Sequence, residues 1–434
     1  MSKEFIWGAA TASYQIEGHF GEFETIWDTF SLDENNVYKN HNGEVACNHY
    51  HLFEEDIELL KGLGVDYYRL SISWARIMPK KGEISEKGLA FYHSLLSSLK
   101  KAGIKSNVTM YHWDMPSWIY EENKGWISRE TTDYFMEYAK SILERLDDLV
   151  DVWTTFNEPY CSAFLGYYTG DHAPGHKSVY EYAKATHNLL LTHGLVMKYY
   201  REHYSKPIGI VLNLSHVKTN NPTPNNLKAV SMQDATLNRM YLDPIFKGYY
   251  PSEILEYFEL VGINVDYIET GDMALIAQEL DIFGINYYTH SIVKYNNKND
   301  FYVEFDGTNL PKTDMGWDIS PDALGELIIR LRNDYTDVPL YVTENGAAFD
   351  DVLVNGEVHD VDRVEYLKSH TDIILSMKEE YDIKGYYVWS LLDNFEWAFG
   401  YSKRFGIVYV DFETGKRYPK DSYNYVKELI KNNQ

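Results

Sequence analysis

The 434-residue chain is poor in cysteine: only Cys47 and Cys161 occur, far apart and without the CxxC or Cys/His spacing of a metal knuckle. That usage excludes a disulfide framework, argues against structural zinc, and is the one expected in a reducing compartment. No apolar run approaches the roughly 20 residues that a membrane-crossing helix needs. The N-terminus, MSKEFIWGAATASYQIEG, turns acidic and aromatic too soon for a secretory leader. A soluble cytoplasmic protein is the resulting expectation. Positive charge is scarce as well: 40 Lys+Arg stand against 65 Asp+Glu, a formal net charge of −25, which repels nucleic acid and anionic membranes alike. With 13 Pro, 28 Gly and 44% hydrophobic residues, the composition excludes extended disorder.

Aromatic residues are plentiful: 15% of the chain, as 38 Tyr, 19 Phe and 10 Trp. Tyr and Trp join an apolar face to a polar tip, which suits clefts that grip amphipathic ligands such as sugars. Most of these rings are expected to fill a core, so only those clustered with polar groups at strand ends point to a site.

Short β-like runs alternate with helical stretches along the whole chain. They are FIWGAATA near residue 5, VDYYRLSI from 65, KSNVTMYH from 105, DVWTTFN from 151, IGIVLNLS from 208, DIFGINYY from 281, VPLYVTEN from 338 and GYYVWSLL from 385. Eight such runs alternating with helices predict a parallel sheet, and eight is the number that closes a (β/α)8 TIM barrel. Between the second and third runs, Tyr92, Leu95, Leu96 and Leu99 form a helical stripe that Gly103 should end. Between the third and fourth, Phe135, Tyr138, Ala139, Ile142, Leu146 and Leu149 repeat at helical intervals. Two long polar stretches, roughly 213 to 230 and 289 to 320, read as extended βα loops walling a cleft. No linker, low-complexity tract or internal period divides the chain, so residues 1–434 are read as one barrel domain. The structural alternative is a doubly wound open sheet, which lacks support because no Gly-rich phosphate loop follows the first strand.

A barrel of this kind carries its active site at the C-terminal ends of its strands. Those ends are polar here: Gln15 and Glu17 after the first run, Arg69 on the second, His112, Trp113 and Asp114 after the third, Asn157 and Glu158 after the fourth. Asn286 and Tyr288 end the sixth, Glu344 and Asn345 the seventh, and Trp389 precedes the loop DNFEWAFGYSKRFG after the eighth. Two glutamates in similar settings, Glu158 of TFNEP and Glu344 of VTENG, fall on the fourth and seventh strands, nearly opposite in an eight-stranded ring. A facing carboxyl pair is what glycosidic bond cleavage requires, one to protonate the leaving oxygen and one to attack the anomeric carbon or activate water. The competing reading is that either glutamate caps a helix or pairs with a surface lysine, as most glutamates are solvated.

The runs ATASYQIEG, YRLSISW, YHWDMP, TFNEP, INYYT, VTENG and WSLLDNFEWAFGYSKRFG, in this order from residue 10 to residue 406, resemble the motifs of family 1 glycoside hydrolases, the β-glucosidase family. The resemblance implies a retaining exo-acting β-glycosidase with Glu158 as general acid/base and Glu344 as nucleophile, their carboxyl groups roughly 5 to 5.5 Å apart. Glu158 should then be held partly protonated by burial and the facing charge, and Glu344 ionised. Arg69 and Tyr288 match the residues beside the nucleophile; a barrel-core arginine with a structural partner is the competing reading for Arg69. Gln15, His112, Asn157, Glu396 and Trp397 match positions that hold the terminal sugar, and Trp389 its stacking floor, with Trp113, Asn286 and Phe405 counted among the substrate-binding set. No second ligand stands at metal spacing from His112, which favours a neutral hydrogen-bonding role; no metal and no cofactor is implied.

Relatives that cleave 6-phosphorylated glucosides bind the phosphate through serine, lysine and tyrosine in the eighth-strand loop. The corresponding residues here are Glu396, Lys403 and Phe405. A carboxylate at Glu396 would repel a phosphate by several kcal/mol in a low-dielectric pocket, so the expected substrate is an unphosphorylated β-glucoside or short β-oligosaccharide, with β-galactosides or β-fucosides as side substrates. The 6-phospho-β-glucosidase and a non-catalytic sugar-binding relative are the alternatives. The segment HFGEFET after QIEG is shorter than is usual in the family and borders the leaving-group side, so that preference is not carried over, and the sequence is silent on oligomeric state.

Overall fold

Eight parallel strands close into a barrel: β1 (Ile6–Ala10), β2 (Tyr67–Ser71), β3 (Lys105–Tyr111), β4 (Val152–Asn157), β5 (Ile208–Asn213), β6 (Ile282–Asn286), β7 (Leu340–Asn345) and β8 (Ile383–Trp389). This computed structural model describes residues 5–433; the first four residues, where the leader reading begins, lie outside them. The ring closes where β1 pairs with β8, Ala10 opposite Trp389. The strand interiors are buried on both faces, as Val, Ile and aromatic runs require when helices cover a parallel sheet. All eight predicted strands form. Strand β1 stops at Ala10, however, and Gln15 sits in a short helical turn, Ser13–Ile16, that follows it.

The covering helices follow the apolar spacing. Helix Glu86–Lys101 buries Tyr92, Leu95, Leu96 and Leu99; Ser85 caps it by accepting from Gly88 N, and Gly103 takes φ +77°, the left-handed turn a side chain resists. Helix Glu130–Leu146 buries Phe135, Tyr138, Ala139, Ile142 and Leu146. Leu149 lies beyond it, half-buried in a 3-10 turn, Asp147–Leu149, so the predicted stripe overruns the helix.

The two polar stretches are more ordered than loops. Val217–Lys218, Ser291–Tyr295 and Val303–Phe305 form a three-stranded sheet, and Pro224–Asp234 is a helix capped by Thr223. Pro224, read as loop punctuation, occupies the first helical turn, where its missing N–H costs no hydrogen bond.

A buried ionic network fixes the loop after β8. Lys420, fully buried, donates to Asp351 at 2.5 Å and Asp393 at 2.7 Å; Arg404 donates to Asp393 at 2.6 Å, and Arg363 pairs with Asp351 and Asp360. Asp393 Oδ1 also accepts from Gly406 N at 3.0 Å. The segment between them, which carries Glu396, Trp397 and Phe405, is thereby tied at both ends.

Candidate active site

Strand register brings the polar ends together at one rim. Glu344 pairs with Asn286 and Asn286 with Asn213. Regular pairing breaks beside both glutamates, between Thr154 and Asn157 on β4 and between Val342 and Glu344 on β7, the kind of irregularity that re-aims a side chain. Glu158 itself adopts φ +46°, a left-handed conformation that costs a non-glycine residue of order 1 kcal/mol. Its N–H is anchored on Val211 O at 2.9 Å. Gly346, two residues after Glu344, is required by close approach: a Cβ there would stand 1.7 Å from Trp389 O.

The rim encloses a cavity of about 980 Å³ lined by both glutamates together with His112, Trp113, Asn286, Tyr288, Trp389, Glu396, Trp397 and Phe405. Gln15, Arg69 and Asn157 are buried beneath it and bonded to lining groups. Strands β4 and β7 stand three places apart around the ring of eight, one short of diametric.

The two carboxyl groups have unequal surroundings. Arg69 Nη1 donates to Glu344 Oε1 at 2.5 Å and Tyr288 donates its hydroxyl to Oε2 at 2.6 Å. Glu158 receives only neutral donors: the Asn286 amide on Oε1 at 2.6 Å and the Cys161 thiol on Oε2 at 3.1 Å. Burial pushes Glu158 up to about 8, and the charge on Glu344 adds to the rise. Burial raises Glu344 too, but the guanidinium and the phenol oppose it. The guanidinium and the phenol therefore favour the negative charge on Glu344 over Glu158.

Asn157 is the hub beneath the pair. Its Oδ1 accepts from Arg69 Nη2 at 2.7 Å and from Asn286 Nδ2 at 3.0 Å, which leaves its Nδ2 to donate to His112 Nε2 at 3.1 Å. His112 is thus an acceptor at Nε2 and neutral, burial and Arg69 holding it well below the usual imidazole range. Thr343 donates to Asn286 Oδ1 at 2.8 Å and so turns the amide nitrogen toward Glu158. Gln15 donates to Asn394 Oδ1 at 3.0 Å and Phe395 O at 2.8 Å, its Oε1 unpartnered. The rings of Trp389, His112 and Trp397 lie nearly parallel, within 13° of one another across the two contacts. Burial and the two facing glutamates push Glu396 up to about 8.

Three strand-end residues are diverted from the cavity. Glu17 binds Arg76 and Tyr92, Asp114 accepts from Ser13, and Asn345 bonds Tyr287 O and the Tyr386 hydroxyl. Lys403 donates to Asp314 through both Oδ2 and the main-chain oxygen, each at 2.8 Å. Phe405 packs edge-on to Tyr288. Sequence reasoning missed Cys161 and Trp317, which also line the cavity; for Cys161 the available signal was its place one turn after Glu158.

The chain is similar to known proteins over its whole length. It is 43% identical to β-glucosidase A of Acetivibrio thermocellus over 99% of this chain and 98% of that one. It is 39% identical to a bifunctional β-D-glucosidase/β-D-fucosidase of Bifidobacterium breve, covering 99% and 97%. Its fold superposes on the crystal structure of a family 1 β-glucosidase from Exiguobacterium antarcticum B7 with a TM-score of 0.98 at 46% identity, covering 100% and 98%. Residues 1–434 match the profile described as Glycosyl hydrolase family 1, and the chain belongs to that family.

Proposed function

We propose that this chain is a retaining exo-β-glucosidase that removes terminal unphosphorylated β-D-glucosyl units through a covalent glycosyl-enzyme intermediate. The observation that carries the reading is the asymmetry of the carboxyl pair: Glu344 bears a guanidinium and a phenol, while Glu158 has only the Asn286 amide and the Cys161 thiol.

In the first step Glu344 attacks C1, and the departing oxygen takes the proton held by Glu158 as the glycosidic bond breaks. Arg69 keeps the nucleophile anionic and Tyr288 fixes its angle of approach. In the second step Glu158, now a carboxylate, takes a proton from water, whose oxygen displaces Glu344 from C1 and restores the original configuration. Gln15 Oε1 and His112 Nδ1 are buried without protein partners, and sugar hydroxyls, which both donate and accept, satisfy both. Trp389 supplies an apolar ring for the pyranose C–H face. The β-D-fucosidase activity in the name of the Bifidobacterium relative supports fucosides as side substrates.

Two observations favour an unphosphorylated sugar. Glu396 lines the cavity, and Lys403, the one cation in its loop matching the phosphate-binding pattern, is engaged by Asp314. An aryl β-glucoside is accordingly expected to exceed its 6-phosphate in kcat/KM, because the lysine of this loop is already paired and Glu396, which burial keeps largely protonated, offers a phosphate dianion no positive charge. Preference for the phosphate would overturn this reading of the pocket.

A further inference from the structure

We infer that Cys161 is a positioning residue for the acid/base carboxyl: its thiol holds Glu158 Oε2 while Asn286 holds Oε1, so that the carboxyl is fixed from both ends. The inference rests on the assignment of Glu158 as acid/base.

The placement is set by the chain. Glu158 leaves β4 in a left-handed conformation, and Cys161 opens the helical segment Cys161–Thr169 with its N–H donating to Glu158 O at 2.9 Å. This turn carries Sγ to 3.1 Å from Oε2. Among the described residues it is the one donor to that oxygen, so a cysteine acting only as core filler would leave Oε2 without a protein partner. The side chain is 7% exposed, and burial together with the Glu158 charge keeps the thiol protonated. It can therefore only donate toward the carboxylate.

The donor type suits the task. A cation at this position would hold Glu158 ionised and remove its acid function, whereas an S–H group is a weak donor that orients the carboxyl while allowing it to keep a proton. Cys161 also borders a second cavity of about 10 Å³, shared with Ser162, His172 and Trp113.

The other titratable groups facing Glu158 are Glu344 from β7, Arg69 from β2, Tyr288 after β6 and Glu396 in the β8 loop. The cavity also holds His112 and His172, both pushed down by burial, and at its wall Asp171, Lys177, Asp306, Lys312 and Asp318. All of these remain in variants of Cys161, which isolates the thiol's effect.

The test compares wild type with Cys161→Ala, Cys161→Val and Cys161→Ser on methyl β-glucoside, whose leaving group needs a proton, and 2,4-dinitrophenyl β-glucoside, whose leaving group does not. In the Ala and Val variants kcat/KM for the methyl glucoside should fall about tenfold. Its alkaline limb should move up by about half a pH unit, because a donor that favoured the carboxylate is gone. The dinitrophenyl kcat/KM should stay within about twofold, and Cys161→Ser should restore both properties. Equal losses on both substrates, or an unmoved alkaline limb, would overturn the inference. Glu158→Gln serves as reference: if it spares the methyl glucoside, the acid/base assignment itself is wrong. If it behaves as an acid knock-out while the Ala and Val variants match wild type, only the role of Cys161 fails.

Discussion

Glu344→Gly is expected to lower kcat on aryl β-glucosides by about 10⁵-fold, the scale on which removal of a nucleophile acts. The same variant should regain turnover in azide and release an α-glucosyl azide. The substitution deletes a carboxylate but leaves Arg69 Nη1 and the Tyr288 hydroxyl, which faced its two oxygens at 2.5 and 2.6 Å. These donors suit a small anion, which can attack C1 from the nucleophile's side while Glu158 still protonates the leaving oxygen. Retained activity, or a β-configured azide from this variant, would contradict the nucleophile assignment.

The second large effect is expected at Glu158. In Glu158→Gln, kcat/KM for alkyl glucosides should fall by about 10²- to 10⁴-fold, the usual contribution of a general acid, with dinitrophenyl glucosides largely spared at that step. The pH profile gives the sign. Glu158, raised to about 8, donates only while protonated, so wild-type activity declines as pH rises through that value. Glu344 attacks only while ionised, so activity also declines as pH falls far enough to protonate it. Glu158→Gln should lose the alkaline limb and keep the acidic one. Persistence of the alkaline limb in that variant would move it to Glu396, which burial also raises to about 8.

Much of this site was legible because barrel strands end where chemistry begins. Polar groups at the ends of runs such as TFNEP and VTENG have no structural reason to cluster on one rim, so their recurrence marked the rim as functional. The strands themselves were readable from short buried runs of β-branched and aromatic residues. Less legible were features set by non-local pairing. The strand Val217–Lys218 exists because Ser291 and Ile292 lie beside it, and no local pattern announces a two-residue strand. Gln15 lies beneath the rim, but the turn that carries it there, Ser13–Ile16, is too short to show a helical period in the sequence. Glu17, Asp114 and Asn345 show the opposite limit: polarity at a strand end does not say which way a side chain faces, and each is consumed by a buried partner. Asn286 was visible as a candidate, yet its place between Asn157 and Glu158 depends on Thr343 turning its amide, a contact 57 residues away in sequence.

The claim that Glu344 forms the covalent bond while Glu158 moves the proton is tested most directly by trapping. An activated 2-deoxy-2-fluoro-β-glucoside slows both steps but the second more, so the intermediate should accumulate. The account predicts one fluorosugar added per chain, located by peptide mass spectrometry on Glu344 in the segment VTENG. An adduct on Glu158 or elsewhere, or turnover with no adduct accumulating, would contradict it.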